Sequence, residues 1–101
     1  MTNNRITKRD LIETINYYNR LYKKTNKTAV KLALSEAYGG YQIVIQQNKP
    51  YGSGSWDFTF GHDTARNTLN SFWRRQGYLA NSLKHATKST MEDYRYYKKR
   101  R

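Results

Sequence analysis

Val30-Lys31-Leu32-Ala33-Leu34, Tyr38-Gly39-Gly40-Tyr41, Gln42-Ile43-Val44-Ile45-Gln46 and, past a Pro/Gly/Ser break, Trp56-Asp57-Phe58-Thr59-Phe60 are the residues that decide the fold. Val30, Leu32 and Leu34 alternate with Lys31 and Ala33. Tyr41, Ile43 and Ile45 alternate with Gln42, Val44 and Gln46, and Trp56, Phe58 and Phe60 with Asp57 and Thr59. Side chains on a strand repeat every two residues, so each run sets an apolar row on one face. Gly39-Gly40 reaches the positive φ values of a tight hairpin without a Cβ penalty. The stretch reads as a three-stranded antiparallel meander with Trp56, Phe58 and Phe60 in the core. Two periods compete in its first strand, because Ala29, Ala33 and Ala37 also recur at helical spacing and Ala and Leu favour helix. Strand is preferred for residues 29–37, since the glycine turn needs an upstream partner.

Outward from the sheet the period changes. Leu11, Ile12, Ile15, Tyr18, Leu21 and Tyr22 fall at helical spacing and predict a helix over about residues 8–24, with Tyr18 and Tyr22 as core. Thr7 and Asp10 stand at its start as a capping box with Asp in place of Glu. The loop from Asn48 to Ser55 is flexible by composition. Asp63 then reads as the N-cap of a closing helix whose Leu69, Phe72 and Trp73 face the sheet, with Gln76, Leu79 or Ala80, and Leu83 continuing the stripe. Gly77 costs roughly 1 kcal/mol against Ala inside a helix, so it also marks a place to stop or bend. Ser89-Thr90-Met91-Glu92 has the pattern of a second capping box, opening a short last helix. The expected fold class is α+β: a three-stranded antiparallel meander covered by an N-terminal and a C-terminal helix (α-β-β-β-α), plus a short basic C-terminal helix. The expected divisions are an arm over 1–6, a single α+β domain over 7–85 and a basic aromatic tail over 86–101.

One hundred and one residues suffice for one modest core, and an aromatic share of 15% offsets a low apolar share of 37%. With no cysteine, neither disulfides nor a thiolate zinc site can hold the fold. No apolar signal core opens the chain, and no run approaches the ~20 apolar residues of a membrane span. A cytoplasmic protein without a membrane partner is expected.

Charge is the strongest global signal, +12 overall, and it is unevenly spread. Residues 1–31 hold eight Lys/Arg against Asp10 and Glu13, a net of +6. Residues 32–65 hold Lys49 against Glu36, Asp57 and Asp63, a net of −2. Residues 66–101 hold ten Lys/Arg against Glu92 and Asp93, a net of +8. The excess therefore flanks the sheet, and a charge of this size attracts polyanions. Part of it also suits the C-terminal end of the first helix, where Lys23, Lys24 and Lys27 crowd. Tyr94-Arg95-Tyr96-Tyr97-Lys98-Lys99-Arg100-Arg101 interleaves rings with cations, as a surface does that stacks bases while neutralising phosphates. The candidate contact residues are Arg20, Lys23, Lys24, Lys27, Arg74, Arg75, Lys84, Arg95, Tyr96, Lys98, Lys99, Arg100 and Arg101.

Enzyme chemistry finds little support. The histidines are His62 and His85, there is no thiol, and the seven carboxylates are scattered rather than set at metal-ligand spacing. Gly52-Ser53-Gly54 precedes a strand and lacks the Lys-Ser/Thr of a phosphate loop, so no cofactor is expected. No helix-turn-helix or zinc-finger spacing marks a reader of base sequence.

The order helix, hairpin with Ala37-Tyr38-Gly39-Gly40-Tyr41, third strand, then a helix with Phe72-Trp73 near Gly77 resembles a group of small bacteriophage accessory proteins. The resemblance covers roughly residues 10–77, mostly core and turn positions. It implies a phage or mobile-element origin and an α-β-β-β-α layout, and it brings no catalytic residues. Three functions follow as expectations. The first is nonenzymatic binding of nucleic acid, RNA or DNA, or of a host nucleoprotein complex, through backbone electrostatics. The second is a phage-encoded inhibitor of a host defence machine, such as an anti-CRISPR protein acting on an RNA-guided nuclease. The third is a protein that packages or coats nucleic acid.

Overall fold

Two residues, Tyr38 (φ 55°) and Gly39 (φ 73°), turn the chain between β1 (Val30–Ala37) and β2 (Gly40–Gln47). Positive φ at both central positions is the geometry that matches the twist of a two-residue hairpin. The turn thus falls one residue earlier than Gly39-Gly40, and Gly40 opens β2 paired with Ala37. β3 (Ser55–Asp57) adds antiparallel to β2, giving the order β1-β2-β3. The structure, a computed structural model, describes residues 5–99.

Gly40 is a glycine because another backbone lies against it. A Cβ there would sit 2.9 Å from the Asp63 nitrogen and 3.1 Å from the His62 carbonyl carbon. That approach is fixed by paired bonds, Tyr41 N–H to Asp63 O at 2.7 Å and Asp63 N–H to Tyr41 O at 2.9 Å. Gly40→Ala is therefore expected to lower the unfolding free energy by about 1–3 kcal/mol, the usual cost of overpacking. Urea denaturation reads this as a lower midpoint; an unchanged midpoint would show that the 62–63 segment moves aside freely.

One sheet face carries Val30, Leu32 and Leu34 of β1 opposite Gln47, Ile45 and Ile43 of β2, with Trp56 beside Ile45. All three helices cover this face. α1 (Lys8–Leu21) brings Leu11, Ile15 and Tyr18, α2 (Ala65–Arg74) brings Phe72, and α3 (Leu79–Lys99) brings Leu79, Leu83 and Ala86. Among the described residues, no helix of the core cluster packs on the opposite face, with Lys31, Ala33, Ser35, Gln42 and Gln46, where Gln42 is nonetheless buried and donates to Thr59 O. Val44 on that face stays outside the core cluster. The α+β layout read from the sequence holds, as does strand for residues 30–37.

Four local expectations change. First, the alternation of the third strand breaks after Phe58. The Phe58 and Thr59 N–H groups both donate to Ile43 O at 3.1 Å, a bulge that turns Phe58 and Thr59 inward and throws Phe60 outward, where it is 75% exposed. Second, Thr64, not Asp63, is the N-cap of α2, its hydroxyl accepting from Asn67 N–H at 3.2 Å. Third, Trp73 is 45% exposed and packs edge-on against Tyr18 and Phe72 rather than against the sheet. Fourth, no helix begins at Ser89.

Instead, the helical run breaks earlier, at a 3-10 turn over Gln76–Tyr78 around Gly77, and α3 then continues unbroken through residues 85 and 86. Thr90 lies inside it, fully buried, and its Oγ1 accepts from Gln47 Nε2 at 3.1 Å. Ser89, the cap that the local pattern names, lies inside the helix, and its neighbour Thr90 pairs with a partner 43 residues away. α1 ends at Leu21, three residues short of the expected limit, and turns occupy 22–29. Its start is as read: the Asp10 carboxylate accepts from Thr7 N–H at 2.8 Å. Tyr18 is buried, Tyr22 packs at the core's margin, and Ile6 of the expected arm also packs against the core. Residues 1–4 of that arm lie outside the described residues.

Candidate nucleic-acid interface

The two ends of the sheet differ in charge. At the hairpin end, acids and bases neutralise one another: Lys8 Nζ lies 2.8 Å from Glu36, and Arg9 Nε 3.5 Å from Glu13. The hydrogen bond and charge of Glu36 hold the Lys8 ammonium pKa above its ordinary value. At the opposite end, where β1 begins and β2 finishes, three segments converge. These are the turn after α1, the loop 48–54 and the last turns of α3. With the end of α1 and the start of β1 they carry Arg20, Lys23, Lys24, Lys27, Lys31, Lys49, Arg95, Lys98 and Lys99, all exposed. Among the described residues none of these nine has a carboxylate within ion-pairing range.

The convergence is built by polar side chains that satisfy main-chain groups. Asn19 on α1 clasps the outer edge of β1, donating to Leu32 O at 3.0 Å and accepting from Leu32 N–H at 2.7 Å. Asn48 Nδ2 donates to Thr28 O at 2.9 Å, and the Asn48 N–H to Ala29 O at 2.8 Å. Gln47 accepts from Gly54 N–H at 2.9 Å through the side chain that also reaches Thr90. The loop expected to be flexible is therefore tied at both ends, to the α1–β1 turn and to α3. The Asn48 and Gln47 side chains, bonded to groups distant in sequence, do most of the tying.

Three cavities run through this region and share walls. The first, about 350 Å³, lies between α1 and β1, with Arg20, Lys23, Lys31, Asn16, Asn19 and Asn26 on its walls. The second, about 620 Å³, shares Thr28, Lys31 and Asn48 with it and adds Lys49, Pro50 and Tyr51. The third, about 690 Å³, shares Pro50 and Tyr51 with the second and adds Tyr94, Tyr97 and Lys98 from α3. Tyr51 and Tyr94 meet edge to face at 4.9 Å, with Lys98 Nζ 5.8 Å from the Tyr94 ring centre. Asn26 is 2% exposed, yet its Oδ1 has no hydrogen-bond partner among the described residues. Beside it Lys27 (φ 52°) and Thr28 (φ 58°) occupy left-handed backbone that non-glycine residues enter at a cost.

Of the residues expected to contact nucleic acid, Arg20, Lys23 and Lys98 line these cavities. Lys24 and Lys27 sit in the adjoining turn, and Arg95, Tyr96 and Lys99 lie on the last turns of α3. Tyr96 stacks edge-on against Tyr97 at 5.7 Å. Arg74, Arg75 and Lys84 do not line the cavities. Arg75 has a structural occupation: its Nε donates to Phe58 O at 2.6 Å, and its guanidinium lies 4.4 Å from the Phe60 ring centre. That contact holds the bulged third strand against α2 and gives Phe60 its place outside the core. Arg100 and Arg101 lie outside the described residues.

Lys31, Lys49, Tyr51 and Asn26 were not among the expected contacts. Strand alternation does place Lys31 on the polar face, and Lys49-Pro50-Tyr51 is a cation beside a ring. Neither signal says that they meet. The site also contrasts with a pair elsewhere: Ser35 Oγ and His62 Nε2 are 2.9 Å apart on the sheet face away from the helices. That is the spacing of a nucleophile and its base, but no carboxylate among the described residues hydrogen-bonds to His62 to orient it. Tyr38 instead packs edge-on against the imidazole at 5.8 Å. No group of three or more potential metal ligands exists among the described residues, and no helix there is long and apolar enough to cross a membrane. No family model, curated protein or solved structure matches the chain.

Proposed function

We propose that the protein binds nucleic acid without catalysing a reaction, gripping a sugar–phosphate backbone at the end where α1, the loop 48–54 and α3 converge. The observation that carries the reading is the segregation of charge. The ion pairs Lys8–Glu36 and Arg9–Glu13 lie toward the hairpin end, while the opposite end presents nine exposed cations with no ion-paired carboxylate among the described residues. Scattered surface lysines raise solubility, but cations gathered along joined concave walls concentrate potential and attract a polyanion. The contacts that this geometry favours are to phosphates, which position a ligand without reading its sequence.

Binding of that kind releases condensed counterions. The logarithm of affinity for duplex DNA is then expected to fall with the logarithm of salt at a slope of about −0.9 per phosphate neutralised. Fluorescence anisotropy with a labelled oligonucleotide across a salt series measures this. A steep negative slope is the expected result. A flat dependence, or no binding at low salt, would contradict the proposal.

A further inference from the structure

Resting on that reading, we infer that the ligand class is single-stranded nucleic acid, laid along the three joined cavities from the α1–β1 cleft to the tyrosines of α3. Three features of the track point away from an intact duplex.

The first is the alternation of surfaces. Arg20, Lys23 and Lys31 line the first cavity, Lys49 the second, and Tyr51, Tyr94, Tyr97 and Lys98 the third. Cations serve phosphates of either form, but rings have a use only where a base face is open to them. In a duplex those faces are stacked on neighbouring pairs; in a single strand they are available, and every base has one. Tyr97 is 69% exposed at the rim of the third cavity and holds no core position.

The second feature is the lining of the first cavity, where the exposed Asn16 stands beside Arg20, Lys23 and Lys31. Cations meet phosphates, while a side-chain amide both donates and accepts. That suits base edges that a single strand leaves open and a duplex spends on Watson–Crick pairs.

The third feature is shape. The concavities lie between α1 and β1, along the loop 48–54, and between that loop and α3. A flexible single strand can enter successive concavities of this kind, whereas a duplex bends only at an energetic cost.

The test uses the full chain and three labelled probes of equal length: a DNA single strand, an RNA single strand and a DNA duplex, compared by anisotropy at one salt concentration. The variants are Tyr97→Ala and Tyr97→Phe. Both single strands, or one of them, should bind more tightly than the duplex, and whichever sugar binds better names the ligand's source. Tyr97→Ala should weaken single-strand binding by roughly five- to a hundredfold, the range for losing one stacked base, while leaving duplex binding within about twofold. Tyr97→Phe, which keeps the ring, should bind the single strand like the parent. Tighter binding of the duplex, or equal losses on all three probes, would overturn the single-strand inference and leave backbone binding standing. Absence of binding to every probe would overturn both.

Discussion

Phe72→Ala is expected to lower the unfolding free energy by about 3–5 kcal/mol, a large share of the roughly 5–15 kcal/mol typical of a native domain. The ring is fully buried, with ring centres of Tyr18, Phe58 and Trp73 at 5.3, 5.5 and 5.5 Å. It therefore joins α1, the bulged end of the third strand and α2 in one contact. Truncation leaves a cavity walled by rings that cannot collapse into it, since Tyr18 is tied through its hydroxyl to Gln76 Nε2 at 2.7 Å. Chemical denaturation monitored by tryptophan fluorescence checks this. A variant with the parent's midpoint would show that α2 does not close the core as described.

The second large effect concerns where the charge sits rather than how much there is. Arg20→Glu with Lys23→Glu removes two cations from the first cavity wall. Arg74→Glu with Lys84→Glu makes the same change in net charge at exposed positions outside the cavities. The first pair should weaken oligonucleotide binding by on the order of a hundredfold, about tenfold per charge, and reduce the magnitude of the salt slope by roughly two. The second pair should change affinity severalfold at most. All four side chains are exposed, so both variants should melt close to the parent. Equal losses from the two pairs would mean that net charge alone drives association and that the convergent end has no special role.

Most of the fold was legible because its signals are local. The period-two runs of β1 and β2, the apolar stripe of α1 and the Thr7–Asp10 cap each depend on residues close in sequence. The departures arise where a distant group overrides a local pattern. Phe60 continues the alternation on paper, but two successive N–H groups on Ile43 O shift the phase after Phe58. Ser89-Thr90-Met91-Glu92 has the letters of a capping box, but α3 already runs through these positions from Leu79, with Thr90 buried and bonded to Gln47. Trp73 fits the stripe, yet Phe72 and Tyr18 fill the space beneath it and leave it at the rim.

The candidate site was half legible for the same reason. The cations of α1 and α3 stand out in the sequence as charge excess on the flanks. Their meeting does not, because it depends on Asn19, Gln47 and Asn48 tying separate segments to one end of the sheet. Lys31 and Tyr51 join the site only through that tying. Arg75 has the same charge as Arg20 but spends its guanidinium on Phe58 O and Phe60.

Amide chemical-shift mapping with a short single-stranded oligonucleotide tests the central claim most directly, because it asks which end of the molecule the ligand touches. The expected result is perturbation confined to three segments: Arg20–Lys31, Asn48–Gly54 and Tyr94–Lys99. The hairpin turn at Tyr38-Gly39 and the region around Arg75 should remain unmoved. Perturbations centred on the hairpin end or on the sheet face around Ser35 and Gln42, with those three segments silent, would contradict it.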